Sequence, residues 1–272
     1  MYDIEGKYFL INGEVRPIEE FDPKLVTKGR PLYEVIRVMD GKPLFYREHI
    51  ARLRNSARLA GTNIPVADEE LKRLTVKVLE LNGIETGNFK IILSEGNLCL
   101  FKVRHKYPDK TMYETGVDTI LYHGERKNPN IKAIDNVFRA GANEKMVEKN
   151  AFEAILVDKN GFVTEGSRSN IFMVMGDTVV TSPVEDVLPG ITREKIIEIC
   201  EKLGYKVMEK KVSCLDLEAM DGLFISGTSP EVLPIRKVDD MRFDSQDNTV
   251  IKSILAAYRK LAEEDAVKFL DK

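Results

Sequence analysis

EAILVDKNGFVTEGSRSNIF, residues 153–172, is the stretch that decides the fold. An apolar run, FEAILVD, stops at Lys159-Asn160-Gly161, and FVTEGSRSN leads on into IFMVM. Short apolar segments rich in branched side chains and cut by turn residues read as strands rather than as one helix. The acid Glu165 sits between Thr164 and Gly166, where a strand gives way to a turn.

Working outward toward the C-terminus, Gly176-Asp177 turns the chain into TVVTS. LPGITREKIIEICEKLG then predicts a helix. Pro189-Gly190 break the chain, Thr192 can cap, and Ile196, Ile197 and Cys200 form a buried stripe. Further strands are expected at YKVMEKKV and GLFIS, with a last helix near 248–263. On the N-terminal side a helix is expected over about 135–149. The polar, turn-rich YHGERKNPN (122–130) reads as an inter-domain connection. Upstream lie two hairpins, turned at Asn12-Gly13 and Asp40-Gly41. Two amphipathic helices follow. REHIARLRNSARLAG presents Ile50, Leu53, Ala57 and Ala60 on one face and stops at Gly61. The second, near 68–82, buries Leu71, Leu74, Val78 and Leu81. FKIILS and LCLFKVR are strands joined by Glu95-Gly96-Asn97. The expected organisation is α+β in two domains: 1–121, a linker at 122–130, and 131–272.

The chain has 272 residues, 43% of them hydrophobic, enough to bury a real core. Charged residues make up 31% with a net charge of -3, which gives no reason to expect nucleic acid. Three scattered cysteines argue against a disulfide framework and for a reducing, cytoplasmic setting. The three histidines lack metal-ligand spacing, so no metal is expected. Neither a signal peptide nor a bilayer-length apolar run is visible, so no membrane association is expected. Phosphate-cradling Gly-Lys loops, dinucleotide fingerprints, Gly-x-Ser-x-Gly elbows and His-Glu-x-x-His pairs are all missing.

What the chain does carry is a series of motifs in order: HIARLRNSA (49–57), RKNPNIKAIDN (126–136), the stretch at 153–172, LPGITRE (188–194) and FISGTSPEVLPI (224–235). In this set and order the sequence resembles the class IV aminotransferase family. These are fold type IV pyridoxal-phosphate enzymes that include branched-chain and D-amino-acid aminotransferases and aminodeoxychorismate lyases. The resemblance implies a small N-terminal α/β domain and a larger C-terminal domain with a mixed, barrel-like sheet and helices. It also implies pyridoxal 5'-phosphate as cofactor, an amino acid and a 2-oxo acid as substrates, and a homodimer.

Residue by residue, the resemblance makes Lys132 the catalytic lysine that holds the cofactor. Such an amine must lose its proton, and freed again it can serve as a general base. Glu165 is implied as the acid facing the pyridine nitrogen, keeping the ring an electron sink. Arg52, in the His-x-x-Arg-Leu register, is implied as a ligand of the cofactor phosphate, for which a guanidinium fork is suited. Ile191 and Thr192 open a helix whose free N–H groups suit the same phosphate, and Thr228 joins them. Tyr33, Thr228 and Ser229 are implied on the substrate side. Asn170 and Arg126 are read as supports and His49 as structural.

Departures fall on the substrate side. The fifth residue after the lysine is Val137, where branched-chain enzymes carry a tyrosine. The Arg-x-His of D-amino-acid enzymes is missing from LSEGNLCLFKVRHKYP, and the Glu95-Gly96-Asn97 connection is short. The expected activity is amino transfer with branched-chain-like or broad specificity. A lyase on the same cofactor and a non-catalytic cofactor-binding protein are the alternatives.

Overall fold

Asn12 and Gly13 take φ of 50° and 86°, Asp40 and Gly41 49° and 71°, and Glu95 and Gly96 46° and 83°. Paired positive φ values are what two-residue hairpin turns need to match strand twist, so the sequence pins all these turns locally. The computed structural model describes residues 4–269. The chain divides into two compact units. The first holds residues up to Lys106, Ile131–Asp135 and those from Ala262 on; the second holds Tyr107–Asn130 and Asn136–Leu261.

The first unit contains β1 (Ile4–Ile11), β2 (Glu14–Pro17), β3 (Leu32–Met39), β4 (Lys42–Pro43), α1 (Tyr46–Leu59), α2 (Asp68–Leu81), β5 (Gly87–Ser94) and β6 (Asn97–Val103). Its sheet runs in the order β2-β1-β6-β5-β3-β4, every pair antiparallel. α1 packs on β3, and α2 on β1 and β6. Leu53 and Ala57 of α1 and Leu71, Leu74 and Val78 of α2 form one core with Ile36, Phe89, Ile91 and Leu100. Burying each large apolar side chain contributes about 1.5–3 kcal/mol. The opposite sheet face is covered too, around Phe9, Tyr33, Ile92 and Phe101. Burial on both faces explains why β5 reads as a nearly unbroken apolar run. The second hairpin is shorter than KPLFY suggests. Phe45 turns into the left-handed region at φ 50° and stands at the N-cap of α1.

The second unit contains α3 (Lys110–Thr115), β7 (Val117–His123), α4 (Asn136–Glu148), β8 (Glu153–Val157), β9 (Phe162–Gly166), β10 (Asn170–Met175), β11 (Thr178–Thr181), α5 (Ile191–Lys202), β12 (Lys206–Glu209), β13 (Val212–Ser213), β14 (Gly222–Gly227), β15 (Glu231–Val238), β16 (Met241–Arg242) and α6 (Thr249–Lys268), of which the residues from Ala262 count with the first unit. Its strands form one mixed sheet in the order β12-β11-β10-β14-β15-β7-β8-β9-β13, with β16 on β15. The sheet curls into a half-barrel. β7 pairs in parallel with β8 and β15, and β11 with β12. A parallel pair cannot be closed by a hairpin, and α4 lies in the connection between β7 and β8. Among the described residues no helix is long and apolar enough to cross a membrane.

Four expectations need correction. The domain change expected at 121/122 lies at 106/107, because Val117–His123 is a strand of the second sheet. Nor is 122–130 a free linker: the Asn130 amide donates to Val184 O and Val187 O at 2.8 and 2.7 Å. Ile131–Asp135, expected to open the second domain, belongs to the first unit. There Ala133 bridges Leu32, and Ile131 and Ala133 join the helix-side core. Finally, Thr192 is not a cap. Gly190 is the N-cap of α5, and the buried stripe runs through Ile196, Ile199 and Cys200 rather than Ile197.

Candidate active site

The candidate residues fall into two groups, one in each unit. In the first, Lys132 is fixed at the backbone on both sides. Its N–H donates to Ser56 Oγ of α1 at 3.2 Å, and its carbonyl accepts from Tyr33 N–H at 3.0 Å. That pairing extends along the start of β3 through the Leu32–Ala133 bridge and the Ile134 N–H to Pro31 O bond of 2.9 Å. The Lys132 amine stands 4.9 Å from the centre of the buried Tyr33 ring. Lys90 Nζ, from β5, stands at the same distance from that ring. An aromatic face attracts a cation, so the Tyr33 ring is a contact for both amines.

Strand alternation puts the next residue, Glu34, on the helix-facing side of β3. Its carboxylate accepts from Arg52 Nε at 2.8 Å, and from Arg52 Nη2 and His49 Nδ1 at 2.7 Å each. All three side chains are buried. Burial pushes the Glu34 carboxyl up, but the Arg52 charge and the hydrogen bonds from Arg52 and His49 outweigh it and hold the group down at about 2. His49 is shifted downward. Burial is the main cause, opposed by Glu34 and reinforced by the positive charges of Arg52 and Lys132. A neutral His49 donating from Nδ1 satisfies both facts, so this tautomer is assigned from its partner. Arg52 is therefore a guanidinium whose orientation Glu34 dictates.

In the second unit, Glu165 lies near the end of β9 and is buried. One oxygen accepts from Arg126 Nη1 at 2.9 Å and the other from Leu188 N–H at 3.0 Å. Glu165 is thereby tied to the turn that starts α5. Asn170 braces the same turn, its amide donating to Leu188 O at 2.9 Å. The first turn of α5 carries Ile191, Thr192 and Arg193, all buried, and no side chain caps it. Uncapped N–H groups inside a protein suit an anion, and the helix dipole adds to the attraction. A Cβ on Gly190 would collide with Asn170 Oδ1. Only glycine lets the turn lie this close. Gly190→Ala should therefore lower the stability of the protein by about 1–3 kcal/mol and weaken anion binding at α5. Thermal melts with and without inorganic phosphate check both effects.

The loop behind Glu165 is held by a carboxylate. Glu153, buried on β8, accepts from Ser167 Oγ at 2.6 Å, Ser169 Oγ at 2.9 Å, Ala154 N–H at 2.9 Å and Arg168 N–H at 3.3 Å. Thr228 and Ser229 lie in the turn between β14 and β15. Val137, at the position where branched-chain enzymes carry a tyrosine, is exposed on the first turn of α4.

Sequence motifs point to neither Lys90 nor Glu153, yet each has a signal. An acid or lysine inside an apolar strand is costly unless something pairs with it. His49 and Arg52 stand three apart, on one helix face.

Residues 31–238 match the family described as amino-transferase class IV. A D-alanine aminotransferase from Bacillus licheniformis is 31% identical over 235 residues, covering 80% of this chain and 82% of its own. Among solved structures, the Escherichia coli branched-chain amino acid aminotransferase superposes with a TM-score of 0.87 at 25% identity, covering 95% of each chain. The branched-chain aminotransferase of the thermophilic archaeon Thermoproteus uzoniensis, solved with norvaline, gives 0.84 at 25% identity over 98% of each chain. The chain belongs to the class IV aminotransferase family of pyridoxal-phosphate-dependent enzymes.

Proposed function

We propose that this enzyme moves an amino group from an amino acid to a 2-oxo acid, using pyridoxal 5'-phosphate held at Lys132. The observation that carries the reading is the Lys132 amine, set against the buried Tyr33 ring by a backbone fixed on both sides. The tight Gly190 turn and the uncapped start of α5 fit a phosphate monoester. When bound, the cofactor supplies an aldehyde that receives the amino group and a ring that takes up electrons as the substrate Cα–H bond breaks.

The chain's own groups do the rest. Lys132 Nζ would take the proton released at the substrate Cα and deliver it to the carbon that was the cofactor's aldehyde, with the reverse transfer when the 2-oxo acid takes up the amino group. Glu165 holds a proton on the ring nitrogen, and Arg126 keeps that carboxylate aimed. Ile191, Thr192 and Thr228 hold the phosphate with Arg52, whose guanidinium Glu34 orients. Tyr33, Thr228 and Ser229 face the substrate, and Lys90 adds a second amine beside it. We place the protein in solution as a homodimer in the cytoplasm, on the strength of the family resemblance.

The test is a panel of L- and D-amino donors, including alanine and the branched-chain amino acids, with 2-oxoglutarate and pyruvate as acceptors. An amino acid alone should convert the absorbance of the lysine-bound cofactor to that of its amine form, and a 2-oxo acid should restore it. The donor that acts fixes handedness and side chain. If no donor changes the spectrum and aminodeoxychorismate releases pyruvate instead, the protein is a lyase.

A further inference from the structure

Ser226, on β14, is completely buried, and its hydroxyl has no hydrogen-bond partner among the described residues. Other buried hydroxyls of the same unit are satisfied. Thr119 donates to Lys237 O, Thr181 to Ile171 O and Ser182 to Val163 O, while Ser245 accepts from Leu223 N–H. A buried hydroxyl left unpaired opposes folding, and native proteins rarely keep one without a use.

Its direction follows from the register. Ser226 is paired directly with Asn170 of β10, and side chains of directly opposed residues share a sheet face. The Asn170 amide on that face reaches Leu188 O, and its Oδ1 lies against Gly190. α5 packs on β14. The hydroxyl therefore lies on the face that receives the buried, uncapped first turn of α5. Two features share this ground: a row of N–H donors that no side chain caps and one buried O–H donor without a partner among the described residues. Thr228 follows two residues later in the chain.

We infer that Ser226 is a further ligand of the cofactor phosphate, its O–H donating to a phosphate oxygen held at the start of α5. The inference rests on the proposed function for the identity of the ligand, but the donor geometry calls only for a phosphate group. Ser226 recognises the phosphate and has no part in proton transfer, so its loss acts on affinity.

The experiment uses the full chain stripped of cofactor, as wild type, Ser226→Ala and Ser226→Cys. Three ligands are titrated: pyridoxal 5'-phosphate, pyridoxal without the phosphate, and inorganic phosphate read as thermal stabilisation. Ser226→Ala should bind pyridoxal 5'-phosphate roughly ten-fold more weakly, the loss of one hydrogen bond to a charged group. Pyridoxal should bind as to wild type, and stabilisation by inorganic phosphate should shrink. Ser226→Cys, with a weaker donor of similar shape, should fall between, and it carries the test if the alanine variant does not fold. Unchanged affinity for pyridoxal 5'-phosphate overturns the inference, and so does an equal loss for pyridoxal, which would mean repacking. If wild type takes up inorganic phosphate but shows no lysine-bound cofactor absorbance, the proposed function fails while the Ser226 assignment is still decided by the phosphate arm.

Discussion

Lys132→Ala should lower turnover by at least about four orders of magnitude, since the proposed function gives this one side chain the parts of both nucleophile and proton carrier. The fold should survive. Lys132 is held by its backbone bonds to Ser56 and Tyr33, which an alanine keeps. Lys132→Arg should be as inactive as the alanine variant. It restores a cation near Tyr33 but offers no amine that gives up its proton readily. A small primary amine added to Lys132→Ala should restore part of the proton transfer and none of the covalent attachment. Stopped-flow half-reactions with saturating amino donor measure the first effect, and the missing absorbance measures the second. Turnover within ten-fold of wild type would remove Lys132 from the centre of the mechanism.

Arg52→Ala is the second large effect, and it acts on stability as well as on the cofactor. Removing the guanidinium leaves the Glu34 carboxylate buried with His49 beside it and its main counter-charge gone. Breaking one side of a buried pair costs about 3–5 kcal/mol, read as a drop in the urea midpoint. Replacing both members, as Glu34→Leu with Arg52→Met, should recover most of that stability, because no charge is then left stranded. It should not recover affinity for the cofactor. A pair serving only the fold would lose and regain both properties together.

The same pair sets an acid limit. The Glu34 carboxyl is at about 2 in the folded protein against 4.5 in its unperturbed state. A depressed value means that the folded state binds fewer protons, so the contribution is present above pH 4.5 and fades as the pH falls toward 2. The shift corresponds to about 3 kcal/mol at full effect. His49, also shifted down, adds a further loss that begins below its unperturbed 6.5. Urea midpoints of wild type against Glu34→Gln, measured from pH 7 to 2, should converge at the acid end.

Much of this was legible in the sequence because it is decided locally. Asn12-Gly13, Asp40-Gly41 and Glu95-Gly96 name their turns through φ alone. The periodicity of α1 and α2 names their buried faces. Other features depend on distant partners. VDTILYH is plainly strand-like, but nothing in it says which sheet it joins; that comes from its pairing with β8 and β15. Ile131–Asp135 returns to the first unit by pairing with the chain from Pro31 to Tyr33, contacts across about a hundred residues that leave no periodic trace. Thr192 has the chemistry of a cap, but Pro189-Gly190 start the helix too early for it. Lys132 and Glu165 are singled out by motifs. Their partners Tyr33 and Arg126 acquire meaning from the side-chain geometry.

The carboxylate of Glu153 has a consequence for motion. Gly166 N–H is bonded to Ser169 O, Ser167 N–H to Ala154 O and Arg168 N–H to Glu153. Three successive loop amides are thus locked to β8 or across the loop itself. The residues behind Glu165 have no cheap way to open. Their hydrogen exchange should track global unfolding with the sheet rather than local fraying, so Glu165 is as rigid as the core strand that carries it.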